Sequence, residues 1–157
     1  MTSMKRRIFL KGSLASGAIG MAVGTGLLTP RIALAAWSKE AFEATDVDGA
    51  LNGLFGSSDL TGSDNIKIKA PDIAENGAVV PVSVTTDISG ASSISIIAEK
   101  NAQPLAARFD LGPGTEGYVS TRIKMGKTAS VIAVVKADGK LHSTGKEVKV
   151  TIGGCGG

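Results

Sequence analysis

"TASVIAVVKADGKLHSTGKEVKVTI", residues 128–152, decides the fold. Its first half is rich in β-branched side chains, and its second half alternates charge with Val148, Val150 and Ile152. Both are strand patterns of period two. Between them, Asp138-Gly139 supplies the pair of residues that tolerates positive φ in a tight hairpin turn. The stretch therefore predicts two long antiparallel strands.

Reading outward toward the N-terminus, the same pattern recurs in short runs. "GYVSTRIKM" (117–125), "PLAARFDL" (104–111), "SSISIIAEK" (92–100), "AVVPVSVTT" (78–86) and "NIKIKA" (65–70) each read as one strand, with turn residues between them. Gly112-Pro113-Gly114 is one such break. Seven strands with no interleaved helix predict an all-β fold, an immunoglobulin-like antiparallel β-sandwich. The single cysteine excludes an inter-sheet disulfide. Pro81, lacking a backbone N–H, predicts an edge or a bulge in its strand.

Ahead of the strands lies a short helical N-terminal region. Ser38 caps a first helix over Lys39 to Phe42, and Thr45 or Asp46 caps a second carrying Val47, Ala50, Leu51, Leu54 and Phe55, which Gly56 stops. Gly49 and Gly53 weaken the second helix. Trp37, Phe42 and Phe55 are three of the five aromatic residues after position 35, so both helices should pack on an apolar surface.

The first 35 residues read as an export leader. Arg6 and Arg7 precede Ile8, Phe9, Leu10 and Lys11, and a Gly/Ala-rich apolar stretch runs from Gly12 to Leu28. This resembles a twin-arginine signal, with Lys5 in place of the usual Ser or Thr. Ala33-Leu34-Ala35 is an A-x-A site, so cleavage is expected between Ala35 and Ala36. The expected location is the periplasm, with no stable membrane association. Three parts follow: a leader over 1–35, a β-sandwich domain with N-terminal helices over 36–152 and a tail over 153–157.

Removing the leader reverses the charge. Of 17 basic residues five lie within it and no acid does, which leaves 12 against 14 acidic ones, a net charge of −2. Nucleic-acid binding loses its support, because the basic character belongs mainly to the leader. Several chemistries are excluded too. His142, the only histidine, falls in a strand run and reads as a surface residue rather than a catalytic base. One cysteine and one histidine cannot build a structural zinc site. "GPGTEG" (112–117) lacks the spacing and context of a phosphate loop. No cofactor or metal is expected, and the chain is not expected to be an enzyme.

The tail is different. Gly153, Gly154, Gly156 and Gly157 surround Cys155, and the thiol is the only side chain there. A slim, flexible arm is expected, carrying the sulfur roughly 10 Å beyond the last strand. A thiol near its ordinary pKa is a few per cent thiolate at neutral pH, which suffices for sulfur exchange. An unpaired thiol in an oxidising compartment is a liability unless it has a task. A prenylation box needs three residues after the cysteine, and two follow Cys155. A ubiquitin-like Gly-Gly terminus would need ATP-dependent adenylation, against which export and an all-β body both argue. The rival reading is an exported β-sandwich binding or structural module whose cysteine is incidental.

The twin-arginine leader, "IKIKAPDIAENGAVVPVSV" (66–84) and the terminal "GGCGG" (153–157) together resemble the SoxY family, the Y subunits of the Sox sulfur-oxidation carrier. The resemblance implies an immunoglobulin-like subunit paired with SoxZ and bearing sulfur intermediates covalently on Cys155. It further implies a cycle of periplasmic thiosulfate oxidation to sulfate. In it a haem-containing SoxAX enzyme loads the cysteine, a SoxB hydrolase releases sulfate, and a sulfane dehydrogenase oxidises the remaining sulfur. Under oxidising conditions a disulfide-linked dimer through Cys155 is an expected side product.

Overall fold

The computed structural model describes residues 38–151. The expected leader and cleavage residues Arg6, Arg7, Ala35 and Ala36, together with Trp37 and residues 152–157, lie outside the described residues.

Among the described residues two short helices come first, α1 (Lys39–Glu43) and α2 (Val47–Phe55). Nine strands follow: β1 (Thr61–Gly62), β2 (Ile66–Lys69), β3 (Ile73–Ala74), β4 (Val80–Thr86), β5 (Ala91–Ala98), β6 (Leu105–Asp110), β7 (Tyr118–Ile123), β8 (Ala129–Ala137) and β9 (Lys140–Val150). They form a sandwich. One sheet has the order β1-β9-β8-β5-β6, with β3 also paired to β9, and the other has the order β2-β4-β7.

The seven expected strands are all present, and the β8–β9 hairpin turns at Asp138 (φ 48°) and Gly139 (φ 76°). β1 and β3 were not expected. Each has two residues, too few to leave an alternating pattern, and each pairs parallel with β9. The edge expected at Pro81 is local: β4 is the middle strand of its sheet and its register has no bulge, but Pro81 is paired on one side only. Its backbone faces Arg122 of β7 on one side, while β2 ends at Lys69 opposite Ser83 on the other. The missing N–H therefore leaves no ladder bond unmade there.

The core lies between the sheets. Ile94, Ile96, Val131, Val135 and Val148 of the larger sheet meet Ile66, Val80, Val82, Val84, Val119 and Ile123 of the smaller one. β5 is buried without alternation from Ser93 to Ala98, because its other face is covered as well. There Ala41, Ala50 and Leu51 of the helices pack on Ile97, Leu105, Val134 and Leu141, with Phe42 and Phe55 at the margin. The helices thus pack on an apolar sheet face, as their sequence predicts.

Local capping is mixed. Asp46 caps α2 by accepting from the Gly49 N–H at 2.7 Å, and Gly56 ends the helix at φ 72°. Ser38 stands at the N-cap of α1 but makes no side-chain cap bond; its hydroxyl donates instead to the Gly53 carbonyl at 2.8 Å. A Cβ at Gly53 would lie 2.9 Å from the backbone of Ala41, so this glycine permits the close approach of α1 and α2.

Candidate functional site

The residue singled out by the sequence, Cys155, and its flanking Gly153, Gly154, Gly156 and Gly157 lie outside the described residues. What the structure describes is the root from which they leave. β9 carries Val148 fully into the core and packs Val150 against it. Past that point the strand is held on both sides. Toward β3, the Lys149 N–H donates to the Asp72 carbonyl at 2.9 Å and the Thr151 N–H to the Ala74 carbonyl at 3.1 Å. Toward β8, the Val150 N–H donates to Thr128 Oγ1 at 2.9 Å. Lys146 pins the β3 segment itself, with Nζ 2.6 Å from the Ala70 carbonyl and 3.0 Å from Asp72 Oδ1.

Two further loops close around the root. The Asn101 side chain donates to the Lys124 carbonyl at 2.7 Å and accepts from the Gly126 N–H at 3.0 Å, which fixes the turn between β7 and β8. The Met125 N–H donates to the Gly77 carbonyl at 2.7 Å. Gly77 must be glycine on packing grounds, since a Cβ there would overlap the Met125 carbonyl and lie 2.8 Å from Val150 Cγ1. Around this end of the sandwich Ile73 and Val79 are exposed, together with Lys124, Lys127 and Lys149.

His142 lies in β9 opposite Val135 of β8 and Thr61 of β1, half-buried and away from the root by the length of the strand. Among the described residues no cluster of three or more His, Cys, Asp or Glu could hold a metal ion. No helix among them is long and apolar enough to cross a membrane.

Sequence reasoning missed the clamp formed by Asp72, Ala74, Gly77, Asn101 and Thr128. Its one local signal was the Pro71-Asp72 and Asn76-Gly77 turn chemistry, which marks a loop without saying what the loop holds. It also missed a face of the smaller sheet where Tyr118 lies near Ser83, Ser120 and Lys69. Hydrogen bonds from Ser83 and then Ser120, with the Lys69 charge, hold the Tyr118 phenol below its ordinary pKa of 10.0.

A family model described as sulfur oxidation protein SoxY matches residues 51–155 of the chain. No curated protein matches it. Among solved structures, the sulfur carrier protein SoxY from Chlorobium limicola f thiosulfatophilum is 48% identical with a TM-score of 0.62. That alignment covers 68% of this chain and 97% of that one.

Proposed function

The chain belongs to the SoxY family, and from that premise we propose that it is a covalent carrier of sulfur intermediates, with Cys155 as the attachment site. The observation that carries the reading is the family match, which runs as far as residue 155. The clamped root of β9 supports it. A carrier needs a rigid body and a thin arm, and the change from one to the other falls between Thr151 and Gly153 in this sequence.

The chemistry follows from the thiol. Joining the Cys155 thiolate to the outer sulfur of thiosulfate forms a sulfur–sulfur bond and releases two electrons, which a haem-containing SoxAX enzyme accepts. The product is a cysteine S-thiosulfonate. Hydrolysis by SoxB adds water at the sulfonate sulfur and breaks its bond to the neighbouring sulfur. Sulfate leaves, a persulfide stays on Cys155, and no electrons are exchanged. A sulfane dehydrogenase then accepts electrons from the outer persulfide sulfur, which takes up oxygen from water to become a sulfonate, and a second hydrolysis releases sulfate and restores the Cys155 thiol. Tethering keeps each intermediate at a high effective concentration beside the next enzyme. The chain itself supplies the nucleophile and the reach and leaves catalysis to its partners, with SoxZ as the second subunit of a heterodimer.

We place the cycle in the periplasm, after export through the twin-arginine signal at Arg6 and Arg7 and cleavage between Ala35 and Ala36. Both guanidinium groups are part of that signal, so changing both to lysine should leave the precursor in the cytoplasm. Normal periplasmic accumulation would remove the twin-arginine assignment.

Mass spectrometry of the protein purified without reductant tests the carrier assignment. Thiosulfonate or persulfide mass on the peptide containing Cys155 is the expected result. Cys155→Ser should lose every adduct and all sulfate production while melting as the wild type does, because a hydroxyl cannot form the sulfur–sulfur bond. Sulfate production by that variant would end the assignment.

A further inference from the structure

The outer face of the three-stranded sheet presents Lys67 and Lys69 from β2, Pro81, Ser83 and Thr85 from β4, and Tyr118, Ser120 and Arg122 from β7, all exposed except the half-buried Ser83. Register places them in rows: Lys67, Thr85 and Tyr118; then Lys69, Ser83 and Ser120; then Pro81 and Arg122. Ser83 Oγ and Ser120 Oγ lie 2.9 Å apart, and Tyr118 and Lys69 stand beside them on the same face.

These eight positions hold three cations and no carboxylate. Among the described residues the ion pairs are Lys39–Glu43, Arg108–Asp110 and Lys146–Asp72, so Lys67, Lys69 and Arg122 have no acidic partner. Asp64, Asp87 and Glu116 lie in the loops beyond the Lys67 row. Beyond the other end of the face come Lys124 and Lys127, in the turn that clamps the root of the arm. Of the nearest carboxylates there, Asp72 is engaged by Lys146, while Glu75 and Glu99 stand in the adjoining loops. Positive charge therefore extends along the face to the point where the chain leaves for Cys155.

We propose that this basic sheet face is the docking surface for an enzyme that carries carboxylates beside the opening that receives Cys155. The proposal rests on the carrier reading. Four residues from Thr151 to Cys155 span at most ~14 Å. A cysteine on so short a tether reaches an enclosed centre only if the body meets the enzyme around Thr151. The surfaces continuous with that point are then the ones the enzyme touches. Small Ser, Thr and Pro side chains lose little entropy on contact, and Tyr118 and Arg122 are of the types that anchor interfaces.

The size of the face selects a passing visitor over a permanent subunit. Three strands about 4.8 Å apart and roughly 20 Å long offer far less than the ~800 Å² per partner of a stable interface. Weak contact steered by charge suits a carrier that must leave one enzyme for the next. Two depressions of about 500 and 560 Å³ lie elsewhere, one at the Gly90 and Pro113 loops and one on the larger sheet beside Ser130 and Ser143.

The test is the association of the full carrier with its SoxB hydrolase, followed by rapid-mixing kinetics across ionic strength. For the wild type, the association rate should fall at least ~10-fold between about 0.01 and 0.15 M salt. Lys67→Glu, Lys69→Glu and Arg122→Glu together should slow association at least ~10-fold at low salt and leave dissociation within about twofold. The variant should melt as the wild type does, and its Cys155 should react with a neutral thiol reagent at the wild-type rate. Should the triple reversal fold poorly, Lys69→Gln with Arg122→Gln should still give a loss of about threefold. Association that ignores these charges, or that shows no salt dependence or cannot be detected, overturns the proposal. So does a variant that loses SoxZ but not the hydrolase, which would give the face to the permanent subunit. Sulfate slowing association more than chloride at equal ionic strength would show a site for a free oxyanion and overturn it as well. The carrier reading is decided separately, by the adduct on Cys155.

Discussion

Tyr118 is the only tyrosine in the chain, so its ionisation can be followed by phenolate absorbance without interference from another. The Ser83 and Ser120 hydroxyls donate to the phenolate better than water does, and Lys69 adds a favourable charge. The midpoint should therefore lie below the ordinary value of 10.0 in the folded protein and return to it on unfolding. Ser83→Ala should raise it most and Ser120→Ala next. A midpoint unmoved by either change would show that the hydroxyls do not meet in solution. For this depressed acid the folded state gains stability above the unfolded pKa and loses it as pH falls through the folded one. None of this was visible in the sequence, because Ser83 and Ser120 are 37 residues apart and meet only through the β4–β7 register. Cys155 stands out in the sequence for the opposite reason: it is one thiol among glycines, a local fact of composition.

At the scale of elements, the sequence marks what repeats or turns and is silent about what merely touches. Each of the seven predicted strands has enough residues to alternate, and Asp138-Gly139 has the chemistry of its turn. β3 has neither, yet Ile73 and Ala74 pair with Lys149 and Val150 and so set where the last strand ends. The loop that follows β3 depends on Gly77. Gly77→Ala would drive a methyl group into the Met125 carbonyl and Val150 Cγ1, both on segments that cannot both yield without breaking the Met125–Gly77 bond. A loss of about 1–3 kcal/mol is expected, read as a lower melting temperature. Amide exchange should rise first at Met125 and Thr151, whose N–H groups bond to this loop and to β3. Wild-type stability and exchange would mean that the loop packs against the root less closely than described.

On the carrier reading, the whole molecule divides its labour along the chain. The sandwich supplies a body whose last strand is held to Thr151, and the residues beyond carry no side chain larger than that of Ile152. If four glycines keep the arm thin enough for a channel sized to backbone, replacing Gly154 and Gly156 with tryptophan should separate access from chemistry. Folding should be unaffected, since no described core residue lies beyond Val148 and Val150 packs from the margin. The Cys155 thiol should still react with a small alkylating reagent at nearly the wild-type rate, because that reagent comes to the arm and nothing need admit it. Sulfate production from thiosulfate with the partner enzymes should nevertheless fall steeply, because there the arm must enter. The two rates must be measured on the same preparation, so that damage to the thiol is not read as obstruction of the arm. Full sulfate production by the bulky variant would show that the glycines serve some purpose other than slimness, even with Cys155 still the carrier. A parallel loss of both rates would place the fault in the thiol itself, and the channel argument would fall with it.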